Sequence, residues 1–122
     1  MTISDVLRIV KEEKPNTFTD AKLIEYINEV EAFVAKELRM PKEDWPSYST
    51  SDMTEELLAE YPYDRLYVSY LKTKIDYALG EYASYQLNME QFDTDYSNFA
   101  DWVVREGKAA SNPAPRRFNH VF

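Results

Sequence analysis

The sequence predicts an all-α fold: a small bundle of about four helices, with a long irregular loop between the second and third helices and an extended C-terminal tail. Apolar residues recur at intervals of three and four through most of the 122 residues, as on one face of an amphipathic helix. Only two glycines, Gly80 and Gly107, are available for the tight turns that join strands. Prolines fall between the helical segments, where they interrupt the pattern.

The first two helices have clear end signals. The first is predicted over about Ser4 to Glu13, and Lys14-Pro15-Asn16 ends it because the residue before a proline disfavours helical backbone. The second is predicted over about Asp20 to Leu38, with Thr19 as its N-terminal cap. Its apolar residues form one narrow stripe that we expect to face the core: Leu23, Ile27, Val30, Val34 and Leu38.

Residues 39–61 break this regularity and are predicted as an irregular loop. Seven carboxylates lie between residues 43 and 64, with no basic residue among them. Loops of this length in compact domains are usually functional or mobile. Trp45 and Tyr48 either anchor the loop on the core or present it to a partner. Three carboxylates are the candidate site residues of this loop: Asp52, Glu55 and Glu56.

The third helix is the most informative segment, because its apolar surface is unusually wide. It is predicted as one uninterrupted helix from Pro62 to Met89, with a tyrosine on nearly every turn. One stripe is expected to pack within the subunit: Tyr67, Leu71, Ile75, Ala78 and Tyr82. With a second stripe beside it, the apolar arc exceeds the ~100° that one core requires. Four residues in or beside this second stripe are therefore candidates for a contact between subunits: Tyr63, Tyr70, Tyr77 and Glu81.

A fourth helix is predicted over about Glu90 to Glu106, and Gly107 is placed to end it. We treat residues 1–106 as one helical domain and residues 107–122 as an extended tail, because two prolines in the tail prevent further helix. Apolar side chains beside two arginines are typical of a segment that orders on a neighbour. The candidates for docking the tail on a partner or the next subunit are Arg116, Arg117 and Phe118.

The net charge of −8 is unevenly distributed along the chain. The tail carries +3 and no acidic residue, which leaves −11 for the rest. An acidic body argues against ordinary binding to phosphate backbones, which requires Lys and Arg patches. A negative surface either keeps a small protein dispersed or lets DNA pass without gripping it, and charge alone does not separate these interpretations.

The residue types of most catalytic and metal sites are scarce. The chain has no cysteine and a single histidine, His120, so typical zinc sites and Cys-His or Ser-His-Asp sets are out of reach. A site built from carboxylates alone stays open. Glu81 lies among tyrosines and would have a raised pKa if buried, but it has no partner for general acid catalysis. We interpret it as a glutamate held by tyrosine hydroxyls or a basic residue at a helix interface, and we expect no enzymatic activity and no cofactor.

No apolar run approaches the ~20 residues of a membrane span, and the first residues lack the regions of a signal peptide. A membrane partner is therefore not expected.

Several packing residues recur in a particular order along about residues 1 to 106: Lys14-Pro15-Asn16-x-Phe18, Pro62-Tyr63-Asp64-x-x-Tyr67, Tyr70-Leu71, Ile75-Asp76, Glu81, Tyr85, Asn88, Phe92, Tyr96, Phe99 and Trp102. In this order the chain resembles the small helical head-tail connector proteins of tailed bacteriophages and prophages. This resemblance implies an adaptor, or head-completion protein, that is assembled in the host cytoplasm and found in the neck of the virion.

Such proteins form a homo-oligomeric ring, often dodecameric, beneath the portal protein. The resemblance therefore implies a ring that extends the DNA channel without sequence-specific binding and offers a platform to the next neck or tail component. In such a ring, Asp52, Glu55 and Glu56 are expected to face the channel or an adjoining component. The alternative is an acidic helical regulatory or DNA-mimic protein that acts by protein–protein binding as a monomer or dimer. A small all-helical enzyme is a third class, and it lacks a plausible nucleophile or acid–base set.

Overall fold

A computed structural model describes residues 1–107, and this part of the chain folds into four α-helices. The helices are α1 (Ile3–Glu13), α2 (Asp20–Glu37), α3 (Arg65–Leu79) and α4 (Tyr82–Arg105), and Lys42–Asp44 forms a 3₁₀ turn. Residues 1–107 contain no strand, although one isolated antiparallel bridge joins Thr2 to Glu56. The predicted all-α class with four helices is confirmed.

The predicted boundaries of α1 and α2 are close to the observed ones because their end signals are local. Thr2 caps α1 in a reciprocal box: its hydroxyl accepts from the Asp5 N–H at 3.1 Å, and the Asp5 carboxylate accepts from the Thr2 N–H at 3.0 Å. The predicted cap of α2 is also observed, since the Thr19 hydroxyl accepts from the Lys22 N–H at 3.1 Å. After α1, the Asn16 side chain closes a turn on the Phe18 N–H.

α3 and α4 form an antiparallel hairpin, so the prediction of one helix from residue 62 to residue 89 is wrong. Side-chain contacts run in opposite directions along the two helices, from Ser69 with Asp95 (2.9 Å) to Asp76 with Asn88 (2.6 Å). Gly80 ends α3 with a left-handed φ of 71°, and α4 begins at Tyr82 instead of near residue 90. Two residues expected in the core are exposed because they lie at this turn: Ala78 and Tyr82.

One hydrophobic core lies where α1 and α2 pack against the hairpin. The α2 stripe is buried as predicted, except that Leu38 at its end is half-buried. The predicted packing residues Tyr67, Leu71 and Ile75 of α3 are fully buried. Other fully enclosed side chains come from α1, α3 and α4 and include Ile3, Val6, Val10, Leu66, Phe92, Phe99 and Val103.

The long loop between α2 and α3 is held on α2 by polar contacts. Asn28 makes two hydrogen bonds with the Tyr48 backbone, at 2.9 and 3.0 Å, and the Tyr48 hydroxyl donates to Glu31 at 2.8 Å. The Trp45 indole N–H donates to the Met40 carbonyl at 3.0 Å. Of the two roles considered for Tyr48, the structure supports anchoring of the loop on the core.

Candidate functional site

The turn between α3 and α4, which we call the elbow (residues 77–82), is held by a buried carboxylate. Asp76 is inaccessible to solvent, and its Oδ2 accepts from the Ser84 hydroxyl at 2.7 Å and the Asn88 amide at 2.6 Å. Its Oδ1 lies 2.5 Å from Lys14 Nζ and has no further donor within residues 1–107. Lys14 also reaches Glu81 Oε1 at 3.0 Å. The network therefore ties the end of α1 to both helices of the hairpin.

The charge of Lys14 is stabilised at this position. The hydrogen bond to Asp76 raises the pKa of the Lys14 ammonium, and the bond to Glu81 adds to this effect, although partial burial opposes it. Glu81 itself is not buried, since about half of its side chain is exposed. It is held by a basic residue, which is one of the two alternatives that we considered from the sequence.

Large apolar side chains project into solvent from the elbow that this network holds. Tyr77 is 62% exposed, Leu79 52% and Tyr82 69%, and we call these three residues the elbow patch. The Tyr77 ring contacts the half-buried Tyr85 ring, with centroids 5.6 Å apart. Leu87, less than two turns further along α4, is also exposed. The helices of the bundle leave these side chains exposed, although Lys14 at the end of α1 lies beside Asp76 and Glu81.

The size of the elbow patch can be compared with those of known interfaces. If a tyrosine presents about 200 Å², the exposed parts of these three side chains amount to roughly 400 Å². The largest apolar patch on a typical monomer is about 300–600 Å² and is often functional. A stable interface buries about 800 Å² per partner, so the elbow patch would supply about half of one and polar neighbours the rest.

The four predicted subunit-contact residues do not form one surface. Tyr70 is a correction, because it is only 2% exposed: it packs edge-on against Phe92 and its hydroxyl donates to Glu29 at 2.8 Å. Tyr63 is half-buried and stacks on Trp102 at the opposite end of α3 from the elbow. Of the four, Tyr77 and Glu81 lie together at the elbow.

The predicted acidic candidates lie in residues 43–64, which we call the acidic segment. Asp52 is half-buried and accepts from the Ser49 N–H at 2.8 Å, so it shapes the loop. Glu55 and Glu56 are exposed, and Glu56 pairs with the Met1 amino group at 3.2 Å. The structure thus leaves Glu55 as the most available of the three. The tail candidates Arg116, Arg117 and Phe118 lie outside the described residues.

The sequence analysis assigned no role to Glu31, which, like Asp76, is fully buried. Tyr67 donates to its Oε1, and the Tyr48 hydroxyl and the Leu58 N–H donate to its Oε2 at 2.8 and 2.9 Å. Burial raises the pKa of Glu31, and these three donors oppose that rise. A signal was present in the sequence: Glu31 lies four residues from both Ile27 and Ala35, on the buried face of α2.

Within residues 1–107, no group of three or more His, Cys, Asp or Glu side chains is placed to hold a metal ion. None of the helices in this range combines the length and apolar character needed to cross a membrane.

Comparison with known proteins found no matching family, no matching curated protein and no matching solved structure.

Proposed function

We propose that this chain is a structural assembly protein of the head-tail connector type. It forms a homo-oligomeric ring beneath a phage portal protein, extends the DNA channel and provides a platform for the next neck or tail component. It acts through protein–protein contacts, without a catalytic step of its own. The virion neck is the location that follows from this role.

The observation that carries the proposal is the elbow patch. Two tyrosines and a leucine are exposed within six residues at the end of α3 and the start of α4, and the buried Asp76–Lys14 network fixes the turn between these helices. A tyrosine on a rigid element offers a large apolar surface at a low conformational entropy cost and tolerates a wet rim. This combination favours a protein-binding surface over an incidental exposed residue.

A second feature supports a ring in particular. A closed ring uses two different surfaces of each subunit, one for each neighbour. The elbow patch supplies one of these surfaces and lies at only one end of the α3–α4 hairpin, which leaves other faces of the bundle for the second. The body charge of −11 fits a channel through which DNA passes without being bound. The resemblance of the packing residues to head-tail connectors supplies the identity of the ring.

The test is the solution mass of the purified chain, measured by light scattering over a concentration series, alone and with an isolated portal protein. We expect a ring alone or a stoichiometric complex with the portal. A strict monomer or dimer that ignores the portal would contradict the proposal and favour the regulatory alternative.

A further inference from the structure

A second aromatic surface lies at the opposite end of the hairpin from the elbow. Tyr61 is 85% exposed, the highest value among the large apolar side chains of residues 1–107. It is followed by the exposed Pro62 and by Tyr63, which stacks on Trp102 with ring centroids 5.2 Å apart. Pro62 and Tyr63 form one wall of an open groove of about 460 Å³, and the last turns of α4 form the other. We call this surface the aromatic groove.

The aromatic groove itself carries charges of both signs, since Arg65 and Arg105 line it beside Asp95 and Asp101. Beyond Tyr61, the acidic segment presents Glu55 and Glu60, which are exposed and pair with no cation of the described residues. A partner for this surface should therefore place an apolar side chain in the groove and cations on the side of the acidic segment.

The chain leaves the described structure next to this surface. Trp102 contacts Tyr63, and Gly107 follows only five residues later, about 7.5 Å further if the helical rise continues. The remaining residues, 108–122, carry Lys108, Arg116 and Arg117 and no acidic residue. Phe118 directly follows the two arginines, so a cationic pair and an aromatic ring are adjacent.

Length also fits an intramolecular contact. Eleven residues separate Gly107 from Phe118, and an extended chain of this length spans at most about 36–40 Å. The aromatic groove begins much nearer than that to the end of α4. A short tether of this kind gives an effective concentration in the millimolar range, so even a weak contact is populated.

We propose that residues 108–122 dock on the aromatic groove of their own chain. Phe118 lies against Tyr61 and the Pro62–Tyr63 wall, and Arg116 and Arg117 pair with Glu55 and Glu60. The contact assigns Glu55 to the tail instead of to a channel. It does not depend on ring formation, since it is made within one subunit, and it leaves the elbow patch available to a neighbour.

The natural chain has no cysteine, so a single engineered cysteine can carry a nitroxide spin label without a background site. In the chain of 122 residues, Asn98→Cys places the label on the wall of the groove. Ala83→Cys, exposed at the other end of α4 and about 22 Å away, is the matched control. The measured quantity is the paramagnetic broadening of the amide signals of residues 116–121 in an isotope-labelled sample.

We expect the Asn98→Cys label to remove the tail signals and the Ala83→Cys label to leave them. The loss should be relieved by the Arg116→Glu/Arg117→Glu pair and by the Glu55→Lys/Glu60→Lys pair, and restored when both pairs are combined. It should also weaken at high salt, since the charges are exposed. The tail substitutions lie outside the helical region, so unchanged signals from residues 1–107 confirm that the fold is retained.

Three results would overturn the proposal: no broadening from the groove label, equal broadening from both labels, or broadening that is insensitive to the charge reversals. A mixture of spin-labelled chains with isotope-labelled, spin-label-free chains tests the remaining possibility. If broadening occurs only between the two kinds of chain, a second copy receives the tail and the intramolecular contact is wrong. The ring proposal is not affected by any of these outcomes, because its test is the mass of the assembly.

Discussion

Glu31 shows how one residue fixes the position of a long loop. Its two carboxylate oxygens receive donors from the loop, through Tyr48 and Leu58, and from α3, through Tyr67. Tyr67 in turn accepts from the Ala59 N–H at 2.9 Å. The loop is thus bound at two places to a buried acceptor on α2, which explains why it lies on the core despite its lack of regular structure.

Glu31→Leu removes this acceptor and leaves its donors without partners in a buried site. We expect it to lower the free energy of unfolding by about 3–5 kcal/mol. The matched control is Glu25→Leu, an exposed position on the same helix, which should change stability by less than about 0.5 kcal/mol. Urea denaturation of both variants checks the prediction, and similar stabilities would show that the Glu31 hydrogen bonds contribute little.

The pH dependence of stability also depends on Glu31. Burial raises the pKa of its carboxyl in the folded state, so the folded chain binds its proton at a higher pH than the unfolded chain does. The Glu31 contribution to stability should therefore increase as the pH falls through the raised pKa toward the ordinary glutamate range. Measured against Glu31→Gln, which does not titrate, the wild type should gain stability over this window. A relative loss of wild-type stability on acidification would contradict the assigned direction.

At the scale of elements, the hairpin marks the limit of prediction from sequence. α1 and α2 could be predicted because Pro15 and Thr19 act within one turn of a helix end, whereas the Thr2 cap of α1 was not predicted. The break at Gly80 was missed because the spacing of apolar residues continues in phase across it, and an isolated glycine is tolerated within a helical pattern. The partner that fixes the break, Lys14, is 62 residues away from Asp76 along the chain, so no local signal reveals it.

The elbow network predicts an asymmetry between two residues of one ion pair. Lys14→Met should lower the free energy of unfolding by about 3 kcal/mol, because it leaves Asp76 buried without a cation. Asp76→Asn should have a smaller effect, since Lys14 keeps Glu81 and lies near solvent. Lys22→Met, which removes an exposed pair with Glu25, is the control. Equal losses at Lys14 and Lys22 would mean that burial of Asp76 does not determine the energetics.

Substitution of Gly80 should change the free energy of unfolding only through the backbone conformation at this residue. Its φ of 71° disfavours other residues, but a Cβ added there meets no atom within 4 Å. Gly80→Ala should therefore cost about 1–2 kcal/mol, and Gly80→Asn less, because asparagine adopts the left-handed conformation more readily. Thermal or urea unfolding of the two variants gives the order, and a larger loss for asparagine would contradict this account.

At the scale of the whole molecule, helical periodicity predicted which face of each helix is apolar. It did not predict which residues of that face are buried by other helices. Tyr70 and Tyr77 lie on the same predicted stripe, yet α2 covers the first and leaves the second exposed. The difference depends on how the four helices pack against one another, which the spacing of residues within one helix does not reveal. The sequence thus predicted the type of residue that forms the candidate binding surface, namely tyrosines on a helix with a wide apolar arc. Which of these tyrosines are exposed could be seen only from the packing of all four helices.

The most direct test of the assembly role is the solution mass of a variant that removes the aromatic rings of the elbow patch. Tyr77→Ser/Tyr82→Ser should leave the free energy of unfolding nearly unchanged, because both aromatic side chains are exposed. The double variant should not form the oligomeric ring or the portal complex that the wild type forms. Tyr61→Ser, which removes an even more exposed tyrosine at the other end of the hairpin, should assemble normally. A double variant that assembles to the wild-type mass would contradict the claim that the elbow patch is the contact surface.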